Sequence, residues 1–287
     1  MKTKVFSFKN VTIDANFQCD LAAFPVLKDN RSKFFYKLIR ENAVAIVDVE
    51  NDTEFRDEFL LEMRRCAGAK PKVFLDISSI SGEDMARLFS LIFSVAETQE
   101  FDLVIGYVVA EFTPPPEELP PNNDICPVSE NFAGWPSFPS ARTSLIVGLG
   151  YEREKAEGAC EYFDSNEIHV FVPTSPIVEY EASVRNNNSQ LLAEATRNKL
   201  DYVYSLDNPE RAFGQLVAVV ADLISRSNPV ILPFGPKLFF ALSLIVAEIY
   251  KEVGVWHVTG ELVTSAGSFN PSGCAIGFEM RLGPSQA

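Results

Sequence analysis

SLIVGLGYEREKAEGACEYF (Ser144–Phe163) runs from an apolar strand through a small-residue loop straight into a helix, and VFLDISSISGEDMARLFSLIF (Val73–Phe93) and PVILPFGPKLFFALSLIVAEIY (Pro229–Tyr250) repeat that grammar. A short continuous apolar run that gives way within a few residues to helical spacing is a β-α crossing. Such crossings leave free N–H groups facing the carboxyl ends of parallel strands, where open α/β sheets bind phosphates, nucleotides and other anions. The pattern predicts a ligand site more directly than it predicts an enzyme.

Upstream, AVAIVDV (Ala43–Val49) predicts a strand, and EFRDEFLLEMRRCAG predicts a helix whose apolar residues recur at three and four and whose stop is Gly68. The first 40 residues hold only a mixed pattern ending in the amphipathic SKFFYKLIR. DLVIGYVVAEF (Asp102–Phe112) is a further strand. Near-continuous apolar strands separated by helices describe a parallel sheet covered on both faces. From Thr113 to Thr143 the chain is rich in Pro and turn residues, which excludes a regular helix or a central strand, yet Phe132, Trp135 and Phe138 predict packing onto the body. The boundary between two halves is placed inside this stretch, giving domains 1–125 and 126–287.

The second half alternates strands TSLIVGLG, EIHVFVPTS, YVYSLD, PVILPF and VWHVTGELV with four helical stretches. Ser189 is a candidate cap and Pro209 a candidate first helical residue. VPTSPIVEYEASVRNNNSQLL (Val172–Leu192) reads as polar loop on leaving its strand, and the Gly- and Ser-rich tail adds an antiparallel edge strand at CAIGFEMRL. The expected fold class is α/β, two Rossmann-like halves with mostly parallel sheets covered by helices. The shared crossings fit two related folds, or only the grammar of every doubly wound sheet.

Composition narrows the function. Thirty-nine acidic against 25 basic residues give a formal charge of −14, which argues against a phosphate-tracking surface and hence against direct nucleic-acid binding, while leaving room for a local cationic pocket. The longest apolar helix is too short to span a bilayer, and the N-terminus lacks a secretory pattern, so the expectation is a soluble cytoplasmic protein with no membrane partner. Five scattered Cys and two His, without C-x-x-C spacing, predict neither a disulfide framework nor a metal site. Cys160 reads as a buried small hydrophobe. His169 and His257 sit inside apolar strands, where a structural role outweighs acid-base work.

The candidate residues cluster at expected strand ends. In DISSISGED, Asp76 is placed to orient a ribose or other hydroxyl, or else to hold its own loop; Ser78 adds a hydroxyl, and Ser81 with Asp84 makes a capping pair. In GLGYERE, Gly148 and Gly150 allow a tight turn and a close phosphate, but Arg153 replaces the third Gly of the dinucleotide fingerprint, and Glu152 and Glu154 favour a capping role. In LPFGPKLF, Gly235 permits an unusual backbone conformation and Lys237 adds a cation beside free N–H groups; the alternative is a Gly-Pro helix start with a snorkelling lysine. Thr174 and Arg185 could recognise a sugar and a phosphate, with Asn186, Asn187 and Asn188 better read as solvated loop.

On the residues PFGPKLFFALSLIVA and the loop after VGLG, the stretch Thr143–Gly260 resembles the CRISPR-associated Rossmann-fold ligand sensors of prokaryotic defence. The resemblance implies a sensor of cyclic oligonucleotides, a homodimer or partnered subunit in an antiviral complex, and a pocket to which Gly235 and Lys237 contribute. Pro236 departs from the family's small-residue turn. The residues themselves support a nucleotide or other phosphate-bearing small ligand, and they leave open an enzyme working through Asp76, Glu152 or Glu181, or a subunit docking through Phe132, Trp135 and Phe138. No cofactor is indicated by any motif.

Overall fold

The computed structural model of the chain describes residues 3–25, 29–49, 52–66, 68, 70–115, 124–136, 140–152, 155–163, 165–259 and 269–285. In chain order the first elements are β1 (Thr3–Asn10), β2 (Cys19–Phe24), α1 (Ser32–Ile39), β3 (Ala43–Asp48), α2 (Asp52–Arg65), β4 (Lys72–Asp76), α3 (Gly82–Ala96) and β5 (Phe101–Ala110). Next come β6 (Asp124–Pro127), a 3-10 turn (Glu130–Phe132), β7 (Thr143–Gly148), α4 (Lys155–Tyr162), β8 (Ser165–Thr174), α5 (Val178–Asn187), α6 (Ser189–Asn198) and β9 (Asp201–Ser205). The chain closes with α7 (Pro209–Leu223), β10 (Asn228–Pro233), α8 (Lys237–Ile249), β11 (Gly254–Thr259) and β12 (Pro271–Pro284). This is the expected α/β architecture: two six-stranded, mostly parallel sheets flanked by helices.

The chain divides into two compact units, Met1–Glu111 with Gly267–Ala287, and Phe112–Ala266. In the first unit the strand order is β1-β12-β5-β4-β2-β3. β5, β4, β2 and β3 are parallel, while β12 runs antiparallel to both β5 and β1. The tail strand is thus antiparallel as expected but internal, not an edge, and it belongs to the first sheet. Its alternation explains the placement: Phe278, Met280 and Leu282 are fully buried, whereas Glu279 pairs with Lys9 at 2.7 Å and Arg281 with Asp102 at 2.8 Å. On one face, Phe74 of β4 packs against Phe17, Phe24 and Phe35 with ring centroids 5.3–5.7 Å apart, the centre of a core sealed by α1.

In the second unit the order is β6-β11-β10-β7-β8-β9, with only β6 antiparallel. α8 is apolar all round and buried from Leu238 to Val246, as such a helix must be. α7 opens at Pro209, with the Asn208 side chain accepting from the Arg211 N–H at 3.1 Å. Two expectations change here. Val178–Asn187, read as loop, is helix α5, and Ser189 is the first residue of α6 without capping it. The Pro-rich stretch holds the short strand β6 and a buried Phe132, whereas Trp135 is 74% exposed; Phe138 lies outside the described residues. Among the described residues no helix is long and apolar enough to cross a membrane.

Candidate functional site

Each sheet has a position where the chain, having laid strands outward on one side, returns to build the other. There the loops after two neighbouring parallel strands diverge to opposite faces and open a crevice at the carboxyl edge, the usual ligand seat of open α/β sheets. In the first unit that position lies between β2 and β4, and in the second between β7 and β10.

At the first switch point β4 ends on Asp76, whose side chain is completely buried. One carboxylate oxygen, Oδ1, accepts from the Ser78 N–H at 2.8 Å and from the Ser78 hydroxyl at 2.5 Å. Ser78 is itself fixed, because its Oγ accepts from the Val108 N–H of β5 at 2.9 Å. Among the described residues the other oxygen, Oδ2, is buried without a hydrogen-bond partner, and so is the hydroxyl of Ser79. Burial is the largest influence on this carboxyl and pushes its pKa up from 3.8 to about 7; the Ser78 hydrogen bonds and the charge of Arg31 pull it back only in part.

The loop after β2 supplies the opposite wall. Asp29 and Arg31, both buried, form a two-point ion pair, Nε to Oδ2 at 3.0 Å and Nη2 to Oδ2 at 2.5 Å. Asp29 also accepts from the Arg31 N–H at 2.8 Å, and the Ser32 hydroxyl donates to the Asp29 carbonyl at 2.9 Å. The guanidinium lies 4.9 Å from the centre of the Phe269 ring, and Asn30 donates to the side chain of Asn270 at 2.8 Å, so the C-terminal segment closes over the loop. Asp29 and Arg31 were not among the sequence candidates. Their signal was the run KDNRSKFF behind a short strand, a fourth strand-loop-helix crossing.

At the second switch point the sequence candidates do converge, but on one another. A Cβ on Gly150 would stand 2.3 Å from the Phe234 carbonyl oxygen, and one on Gly235 would stand 2.9 Å from the Leu149 carbonyl oxygen. The two loops therefore touch backbone to backbone. Neither glycine adopts a positive φ, which corrects the expectation of an unusual conformation at Gly235; close approach is what both supply. Gly148 makes way for the ring of Phe239 on α8 in the same manner. The side chain of Asn188 donates to the carbonyls of Gly150 and Val184 at 2.9 and 2.8 Å, and that of Asn187 donates to the Tyr151 carbonyl at 2.6 Å. These two asparagines are anchors of the loop, not solvated residues.

The remaining candidates lie around this closed crevice. Thr174 ends β8 and donates to the Tyr204 carbonyl at 3.2 Å, and Lys237 is the first residue of α8. Arg185 lies along the exposed side of α5 in an ion pair with Glu181 at 3.0 Å. Beside the β7 loop, Tyr151, Tyr180 and Phe112 form a half-exposed trio with ring centroids 5.1–6.3 Å apart. His169 is buried in β8 between the hydroxyl of Tyr202 at 3.1 Å and Glu167 at 3.4 Å, and Glu167 is held in turn by Arg226, a network that gives the imidazole a structural task. A cleft of about 270 Å³ opens between the start of β8 and α6, lined by Glu167, Ile168, Glu194 and Asn198; it contains none of the sequence candidates. Among the described residues no group of three or more His, Cys, Asp or Glu is placed to hold a metal.

No protein-family model matches the chain, and no curated protein matches it. The architecture itself is Rossmann-like in the general sense, of the kind that binds nucleotides and other small ligands.

Proposed function

We propose that the chain binds a nucleotide-type small ligand at the switch point of its first sheet and serves as a sensing subunit of a cytoplasmic signalling or defence complex. The observation that carries the reading is Asp76: a completely buried carboxyl at a strand's carboxyl end, with one oxygen held by Ser78 and the other without a partner among the described residues. A buried polar atom left unpaired costs about 1–3 kcal/mol, a cost that a ligand hydroxyl or amino group would remove. A ribose hydroxyl has that chemistry. The assignment to a defence complex, and to a homodimer, rests on the resemblance of Thr143–Gly260 to the CRISPR-associated Rossmann-fold sensors.

Freshly purified protein, denatured and analysed by mass spectrometry, should release a phosphate-bearing small molecule in stoichiometric amount. Asp76→Asn should abolish its retention, while Lys237→Ala leaves it intact; the reverse pattern would move the ligand to the second sheet. An empty protein whose melting temperature no mononucleotide, cyclic oligonucleotide or sugar-phosphate raises would sink the proposal.

One observation favours a second reading. A carboxyl whose pKa is pushed up to about 7 is poised for general acid-base work near neutral pH, so an enzyme acting on a nucleotide or sugar-phosphate would use Asp76 in that role. Turnover of such substrates that vanishes in Asp76→Asn separates this reading from a sensor.

A further inference from the structure

The sequence contains five cysteines and two histidines, and the fold brings one of each together. β6 and β11 pair antiparallel in a register that sets Cys126 directly opposite His257, with Sγ 3.5 Å from Nε2. Counted on from the Ile231–Val255 pair, His257 stands level with Pro233, the last residue of β10, so the pair sits at the carboxyl edge of the second sheet. Both side chains are half-exposed. The other cysteines differ: Cys19 and Cys160 are buried, with thiols pushed up to about 12, and Cys66 and Cys274, though half-exposed, have no imidazole bonded to sulfur among the described contacts.

A thiol within hydrogen-bond reach of an imidazole is the arrangement that yields a thiolate at neutral pH, because the imidazole takes the proton and the resulting cation stabilises the anion. We propose that Cys126 and His257 form such a nucleophilic pair, making Cys126 a covalent modification site for small uncharged soft electrophiles. In the step itself the Cys126 sulfur gives an electron pair to the electrophilic carbon, forming an S–C bond. The bond to the leaving group breaks with that group taking its electrons, and the thiol proton, held on His257, passes to solvent. The elements packed against this strand pair carry Glu130 on the 3-10 turn, and Lys237 and Glu248 on α8; Asp124 lies on β6 itself. Glu248 is engaged by Lys251 at 2.6 Å.

The test is iodoacetamide labelling of the folded protein, read peptide by peptide by mass spectrometry between pH 5.5 and 9. Burial and the charges of Asp20 and Glu62 push the Cys66 thiol up, so Cys274 is the reference: Cys126 should label at least tenfold faster than Cys274 at pH 6.5, where a free thiol with its ordinary pKa near 8.5 is about 1% ionised. In His257→Gln that advantage should disappear and the Cys126 profile should follow an ordinary thiol, rising near pH 8.5. Labelling of Cys126 at pH 6.5 no faster than that of Cys274 in the wild-type chain would overturn the proposal without any variant. So would an unchanged rate in a folded His257→Gln.

Discussion

The two sheets treat the same topological position in opposite ways. Between β7 and β10 the crevice is filled by backbone, with Gly150 against the Phe234 carbonyl and Gly235 against that of Leu149, and Asn188 pins the loop from the side. Between β2 and β4 the corresponding space contains buried ionisable groups, the Asp29–Arg31 pair and the half-satisfied Asp76. Among the described residues each place keeps one buried oxygen without a partner, but at the second it is the neutral amide oxygen of Asn188 and at the first a carboxyl oxygen of Asp76. The carboxyl is the costlier of the two, since burial penalises its charged form as well as its missing hydrogen bond. A glycine-containing loop at a strand end is therefore weaker evidence of a ligand than an unsatisfied carboxyl in the same place.

The largest expected effect tests that contrast through pH. The folded state raises the Asp76 pKa from 3.8 to about 7, so the native chain binds more protons than the unfolded one between those values. Stability from this group is therefore fully present below about pH 4, is lost as pH rises through 7, and stays lost above it. At about 1.36 kcal/mol per pKa unit the loss is on the order of 4 kcal/mol. Asp76→Asn removes the titration, so the denaturation free energy of wild type minus variant, in ligand-free protein, should fall steadily between pH 4 and 7 and then level off. A difference that is flat across that window would show that Asp76 is not titrating there, and the contrast between the two sheets would lose its electrostatic half.

The second effect tests the closed crevice. Gly150→Ala forces a methyl to 2.3 Å from the Phe234 carbonyl oxygen, and because the obstacle is backbone, one of the two loops must move. Overpacking of this kind costs about 1–3 kcal/mol, and this site belongs at the upper end. Urea denaturation should show a midpoint shifted accordingly with no change in slope. Wild-type stability in Gly150→Ala would mean that the loops part readily and that this contact does not seal the second crevice.

The elements that frame this contrast were legible in the sequence, the contrast itself was not, and the reasons are physical. Asp76 and Ser78 stood out because an apolar strand ending in Asp is a local pattern, and the strand-loop-helix grammar located β7, β10 and their helices. β2 did not declare itself: in CDLAAF the Asp20 carboxylate accepts from the Lys72 N–H at 2.7 Å, a long-range bond that lets a polar residue sit in a central strand. α5 buries only Val184, so no apolar stripe marked it as a helix, and its anchoring asparagines read as solvent-facing. The Asp29–Arg31 pair stood in the sequence as charge, and the ring 4.9 Å from its guanidinium, Phe269, comes from the far end of the chain. The place of β12 is likewise set by partners more than 160 residues away, such as Asp102 for Arg281.

The smallest expected effect is the control that gives the glycine comparison its meaning. Gly214 lies on the exposed face of α7, and a Cβ there meets nothing within 4 Å, in contrast to the clash at Gly150 in the same unit. A glycine inside a helix costs about 1 kcal/mol relative to alanine, because its unfolded backbone has more freedom to lose. Gly214→Ala should therefore raise stability by about 1 kcal/mol, opposite in sign to Gly150→Ala, and a thermal melt of the two variants side by side reads both. Opposite signs mean that glycine at the β7 loop answers to the approach of a neighbouring backbone. Loss of stability in both would point instead to an intolerance of any added methyl across this unit, and the two-loop contact would no longer be needed to explain Gly150.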